Sequence, residues 1–176
     1  MDYAHLKQIT LASAIAVACT LPIAEDAWAP VFAKYDGVDG ESTDSKHKGE
    51  IDVLSWSWGI SSEDDRSQLP CVEDFRITKF VDSATPGLIA ARHNKETSHA
   101  VITVERDRRP TLVLEFLEIE VKEMHFTQKQ SDERPVEEVA FNFSEVLGTY
   151  QRPPNAPETN YPAQTFVVMP GRCRPD

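Results

Sequence analysis

Positive charge is scarce in this chain: 18 Lys and Arg stand against 29 Asp and Glu, a formal net charge of −11 over 176 residues. That excludes nucleic acid as a principal partner, because phosphate contacts need clustered Lys and Arg. Arg106, Arg108 and Arg109 do sit together ahead of Pro110, but they read as a solvated turn between strands. Glycine is sparse too, with 7 residues, and no phosphate-cradling loop appears; Gly87 stands alone after Pro86. His47, His93, His99 and His125 are dispersed, with no i, i+4 pair for zinc. No serine lies in a G-x-S-x-G elbow. Of 3 cysteines only Cys71 and Cys173 lie beyond the first 29 residues, and neither has a Cys or His at metal spacing. They form one disulfide in an oxidising compartment or stay free thiols in the cytoplasm, and unpaired cysteines are the expectation. Long apolar runs are missing as well. The stretch from Leu11 to Leu21 falls short of the roughly 20 residues of a membrane span.

That stretch has a different meaning. Lys7 precedes it, and Ala27, Trp28 and Ala29 follow as an A-x-A ending, so residues 1–29 read as a signal-peptide-like leader or N-terminal extension. Pro30 after the cut fits signal-peptidase cleavage poorly. A mis-assigned start codon is the competing explanation.

From Pro30 onward, short β-prone runs alternate with turn signals. Val31 to Tyr35 ends at Asp36-Gly37. Ile51 to Trp58 alternates, with Ile51 and Val53 on one face and Leu54, Trp56 and Trp58 on the other. Val72 to Val81, Ala100 to Glu105, Thr111 to Met124 and Glu137 to Phe143 complete the convincing strands. Between the third and fourth lies the helix signal, with Thr85 as N-cap, Pro86 at the first helical position and Asn94 as its end. Gln151 to Pro157 is a proline-rich linker, and Thr165 to Met169 is either an edge strand or an interaction segment. The predicted class is mainly β: a small barrel of two packed antiparallel sheets flanked by one short α-helix.

Asp36, Asp39, Glu41 and Asp44 crowd one polar loop. Their spacing and the positions of Gly37 and Gly40 do not fit an EF-hand, so the loop reads as turn chemistry and not as a calcium site. Glu118 and Glu120 share a strand face as a solvated stripe or as partners for a basic patch on an adjacent subunit.

The order of these segments resembles the Hcp family of bacterial type VI secretion. The resemblance rests on Phe32 to Ser42, His47 to Gly59, Asp74 to Leu88, Leu112 to Val121 and an R-P-x-E-x-V-x-x-N-F run from Arg134 to Phe143. It covers residues 31 to 151 in collinear order. The resemblance implies hexameric rings stacked into a hollow tube, with sheath and tip proteins of the apparatus as partners and effector proteins in the lumen. It implies a structural protein with no catalytic residue, cofactor or metal, secreted through the apparatus from a cytoplasmic pool. The leader instead points to periplasmic export, and an exported Hcp-like binding or adhesion module is the alternative function. By position after the matched strands, the stacking candidates are Asp39, Glu41, Ser42, Asp44 and His47 in one loop. Glu63, Asp64 and Asp65 supply them in the other, Ser61 to Pro70, which is shorter than is usual in the family. The domains expected are the leader (1–29), the barrel (30–151) and a tail (152–176) that departs from the family pattern.

Overall fold

The computed structural model describes residues 29–61, 71–130, 133–152 and 163–170. Residues 1–28 of the leader and 153–157 of the proline-rich linker therefore lie outside the described residues, as do Glu63, Asp64 and Asp65. In chain order the elements are β1 (Val31–Tyr35), β2 (Ile51–Val53), β3 (Ser55–Ser57), β4 (Ile60–Ser61), β5 (Cys71–Val72) and β6 (Phe75–Phe80). Helix α1 (Ala84–Asn94) follows, then β7 (Thr97–Arg106), β8 (Arg109–Thr127), β9 (Val136–Asn142), β10 (Glu145–Tyr150) and β11 (Gln164–Val168).

The protein is mainly β, with two sheets and one helix as expected, but the hydrogen-bonding path of the large sheet does not close into the expected barrel. A 9-stranded sheet runs β2-β1-β7-β8-β9-β6-β3, with β10 on β8 and β11 on β10, and β4 and β5 form a separate pair. The path is not closed, yet its two ends, β2 and β3, are halves of one segment interrupted at Leu54. Leu54 is exposed, and its N–H reaches the Thr78 carbonyl at 2.8 Å. The interruption shifts the side-chain parity by one. Ile51 and Val53 before it, and Trp56 and Trp58 after it, therefore all pack against the same core, where strict alternation predicts opposite faces.

A second irregularity sits in the long strand β8. Glu118 adopts φ 49, and the β7 register slips between Ser98 and Ala100. Ahead of this bulge β8 pairs with β10, from Leu112↔Tyr150 to Leu117↔Glu145; beyond it β8 pairs with β9, from Glu120↔Asn142 to Thr127↔Val136. A bulge bends and twists its strand, which lets one strand serve two neighbours along the same edge. The Phe116 ring lies at this junction, fully buried, 4.7 Å from Phe75 and 4.9 Å from Phe143. Trp56 stacks on Phe75 at 5.9 Å, and Trp58 meets Phe143 edge-on at 5.9 Å.

Helix α1 starts at Ala84, so Thr85 is not its N-cap. Asp82 Oδ1 accepts from the Ala84 N–H at 2.9 Å, and Thr85 Oγ1 accepts from the Asp82 N–H at 3.1 Å. Lys95, at φ 54, ends the helix in the left-handed region. Beneath the first turn Lys79 and Glu137 are wholly buried. Lys79 Nζ donates to Glu137 Oε1 at 2.6 Å, to Asp82 Oδ1 at 2.7 Å and to the Phe80 carbonyl at 2.8 Å. Thr85 Oγ1 donates to the same Glu137 oxygen at 3.0 Å. This cluster ties β6, β9 and α1 together.

The tail contributes an edge strand, one of the two outcomes left open by its sequence. β11 runs antiparallel to β10 from Val146↔Val168 to Tyr150↔Gln164. The Phe166 ring covers Gly148, where a Cβ would collide with it. Cys71 is disulfide-bonded, which corrects the expectation of unpaired cysteines; its partner lies outside the described residues.

Candidate functional site

Residues 36–50 make a long connection between β1 and β2, yet it is firmly tied. Gly40 N–H meets the Gly49 carbonyl at 2.8 Å, Ser42 N–H the Glu50 carbonyl at 2.9 Å, and Gly49 N–H the Ser42 carbonyl at 2.9 Å. Only glycine fits at position 40, because a Cβ there would run into the Glu50 backbone. Asp44 Oδ1 accepts from the N–H groups of Lys46 at 2.8 Å and His47 at 3.3 Å, a carboxylate closing its own turn. The Lys46 N–H, followed by that of His47, holds the Asp44 carboxyl below its usual range.

His47 anchors the loop to the sheet. Its ring stacks on Phe32 at 4.0 Å with 7° between planes, on the side of β1 opposite Ala33. Nδ1 lies 2.8 Å from Glu50 Oε2 and Nε2 lies 3.3 Å from Glu105 Oε1. Glu105 is 2% exposed and also takes Lys46 Nζ at 3.5 Å. Lys46 Nζ further donates to the Arg108 carbonyl in the β7–β8 turn. With a carboxylate at each ring nitrogen, both must donate, which the imidazolium does and neutral imidazole cannot. Burial pulls the His47 pKa down, but the hydrogen bonds its ring donates to Glu50 and Glu105 outweigh it and hold the pKa above its ordinary 6.5.

The sign of the pH dependence follows. A pKa raised in the folded state gives stabilisation that is complete below about 6.5 and is lost as pH rises through the native value. The His47 ring protons, followed by NMR, should titrate with a midpoint above 6.5 in the native protein. A midpoint at or below 6.5 contradicts the bridging role.

The sequence-predicted candidates divide into two groups. Ser42 and His47 are buried and hold the loop, while Asp39 and Glu41 are exposed and Asp44 is partly so. Glu41 Oε1 accepts from the Ser83 N–H at 3.0 Å and its Oε2 lies 3.5 Å from Arg134, joining the loop to the start of α1. Sequence reasoning missed Phe32, Glu50 and Glu105 as partners of His47. Glu105 ends an apolar strand and shares the Val101–Thr103 parity; nothing in that pattern shows that a loop covers that face. Among the described residues no group of three or more His, Cys, Asp or Glu is placed to hold a metal ion, and no helix is long and apolar enough to cross a membrane.

This arrangement presents a polar loop in fixed shape. Comparison with known proteins agrees with a structural role. Residues 32–150, from β1 through β10, match the family described as "Type VI secretion system effector, Hcp". Protein hcp1 of Pseudomonas aeruginosa is 31% identical over 133 residues, covering 69% of this chain and 82% of that protein. Among solved structures, Hcp1 of Salmonella typhimurium superposes with TM-score 0.70 at 26% identity, covering 81% of this chain and 95% of that one. A type VI secretion system effector from Yersinia pestis gives TM-score 0.68 at 24% identity, covering 79% and 98%.

Proposed function

This chain belongs to the Hcp family and is a tube subunit of the type VI secretion system, and from that premise we propose that six copies close into a ring and that rings stack into a hollow conduit. The observation that carries the reading is the unbroken match from β1 through β10, at 31% identity to a relative covered over 82% of its length. The fold suits the task. A closed ring is a heterologous assembly, so each protomer must offer two unlike faces that match. A stacked ring also needs end loops of fixed shape. In this reading Asp39, Glu41 and Asp44 lie on such an end, held there by Ser42 and His47; Glu63, Asp64 and Asp65 belong to the second stacking loop. Sheath and tip proteins engage the assembled tube, and effector proteins occupy its lumen. No catalytic step, cofactor or metal belongs to this function. The protein waits in the cytoplasm and is secreted when the apparatus fires. An exported adhesion module has no comparable support.

Negative-stain microscopy of the full chain tests this reading. Annular particles with a central hole are expected; uniformly small, solid particles at high protein concentration contradict it.

A further inference from the structure

The β7–β8 turn holds an unsatisfied concentration of positive charge in an acidic protein. Arg106, Arg108 and Arg109 are exposed, and among the described residues none has a side-chain hydrogen bond or ion pair. Asp107 is the one carboxylate in the four-residue tip. Glu105 just below is buried and already engaged by His47 and Lys46. Lys46, about half exposed, adds a further cation beside the Arg108 carbonyl.

The backbone makes this tip more telling. Asp107 and Arg108 both occupy the left-handed region, with φ 54 and 59, the conformation of a two-residue type I′ turn. Aspartate tolerates it. The second position is where glycine is strongly favoured, and a long side chain there is held in a costly conformation. Arginine at 108 thus sacrifices local stability, and its side chain gains no hydrogen bond or ion pair among the described residues.

The opposite end of the same hairpin carries the complementary sign. About 30 Å along β8, Glu118 sits at the bulge with Glu120 just beyond it, and Glu145 begins the neighbouring strand. None of the three has an ion pair among the described residues. The geometry points to the Arg106–Arg109 tip as a docking element for the carboxylate-bearing end of a second copy of this chain, in a head-to-tail contact between stacked rings. This rests on the ring reading and adds to it which surface meets which, and by what chemistry. With a net charge of −11, two copies repel at long range, and an oriented positive tip offsets that repulsion in one arrangement only.

The test compares the full wild-type chain with R108G and with R106E/R108E/R109E, using sedimentation velocity and microscopy at 50 and 500 mM NaCl. Wild type should form rings at both salts and stacks mainly at low salt, with stacking falling about tenfold at high salt. The triple variant should form rings without stacks. R108G should raise Tm by about 2–4 °C, since glycine relieves the left-handed strain, while weakening stacking. Normal stacking by the triple variant, or stacking of wild type indifferent to salt, overturns the proposal. A wild type that forms no ring refutes the ring reading, and this proposal with it.

Discussion

Replacing Lys79 with methionine should destabilise the protein by about 3–5 kcal/mol, the cost of leaving a buried charge without its partner. Lys79 and Glu137 are both 0% exposed, and a single Glu137 oxygen receives Lys79 Nζ at 2.6 Å and Thr85 Oγ1 at 3.0 Å. The other, Oε2, has no hydrogen-bond partner. Removing the ammonium therefore strands a carboxylate that already has half of its acceptor capacity unused. Asp82 loses a partner as well, and with it the group that orients the first turn of α1. Chemical denaturation at fixed protein concentration measures the loss. The double variant K79M/E137L should recover much of it, because an apolar pair removes the uncompensated charge. If K79M alone costs less than about 1 kcal/mol, the pair is behaving as a solvated surface bridge and the cluster is misassigned.

Truncating Phe116 to alanine should cost about 3–5 kcal/mol, in the range for a large aromatic removed from a packed core. Phe116 packs near the point where the β10-paired and β9-paired parts of β8 meet. It faces Phe75 on β6 and Phe143 beyond the end of β9, at 4.7 and 4.9 Å. Its strand neighbours are Ala100 on β7 and Val146 on β10. Phe116 is fully buried among packed side chains, so the cavity term adds to the lost transfer energy. A conservative Phe116→Leu change should cost visibly less. Equal losses for the two variants would mean that position 116 acts through local strand propensity and not through packing.

Much of the fold was legible because its pattern is local. Period-2 alternation located β6, β7, β8 and β9, and Pro86 with Asn94 bracketed α1 to within two residues. Two features escaped because they are departures from a period. The interruption at Leu54 places Ile51, Val53, Trp56 and Trp58 on one core, and only pairing with both β1 and β6 demands it. The bulge at Glu118 belongs to a strand whose two halves have different partners, a tertiary fact written nowhere in its own residues. Barrel closure failed for the same reason: alternation identifies a face to bury and is silent on which strands meet at the seam.

The candidate site was legible by position and not by role. The loop from Asp36 to Gly49 stood out through its glycines and carboxylates; of its acids, Asp44 closes its own turn and Glu41 ties the loop to the start of α1. Which side chains point outward was hidden, since His47 and Ser42 are buried by contacts with residues far along the chain. The unpaired arginines at the β7–β8 turn were visible as a motif. Their left-handed backbone was not.

Sedimentation equilibrium of the purified full chain in solution bears most directly on the central claim. A particle of six times the chain mass that persists on dilution is expected. A species of one chain mass at high concentration, with intact β circular dichroism, would contradict it.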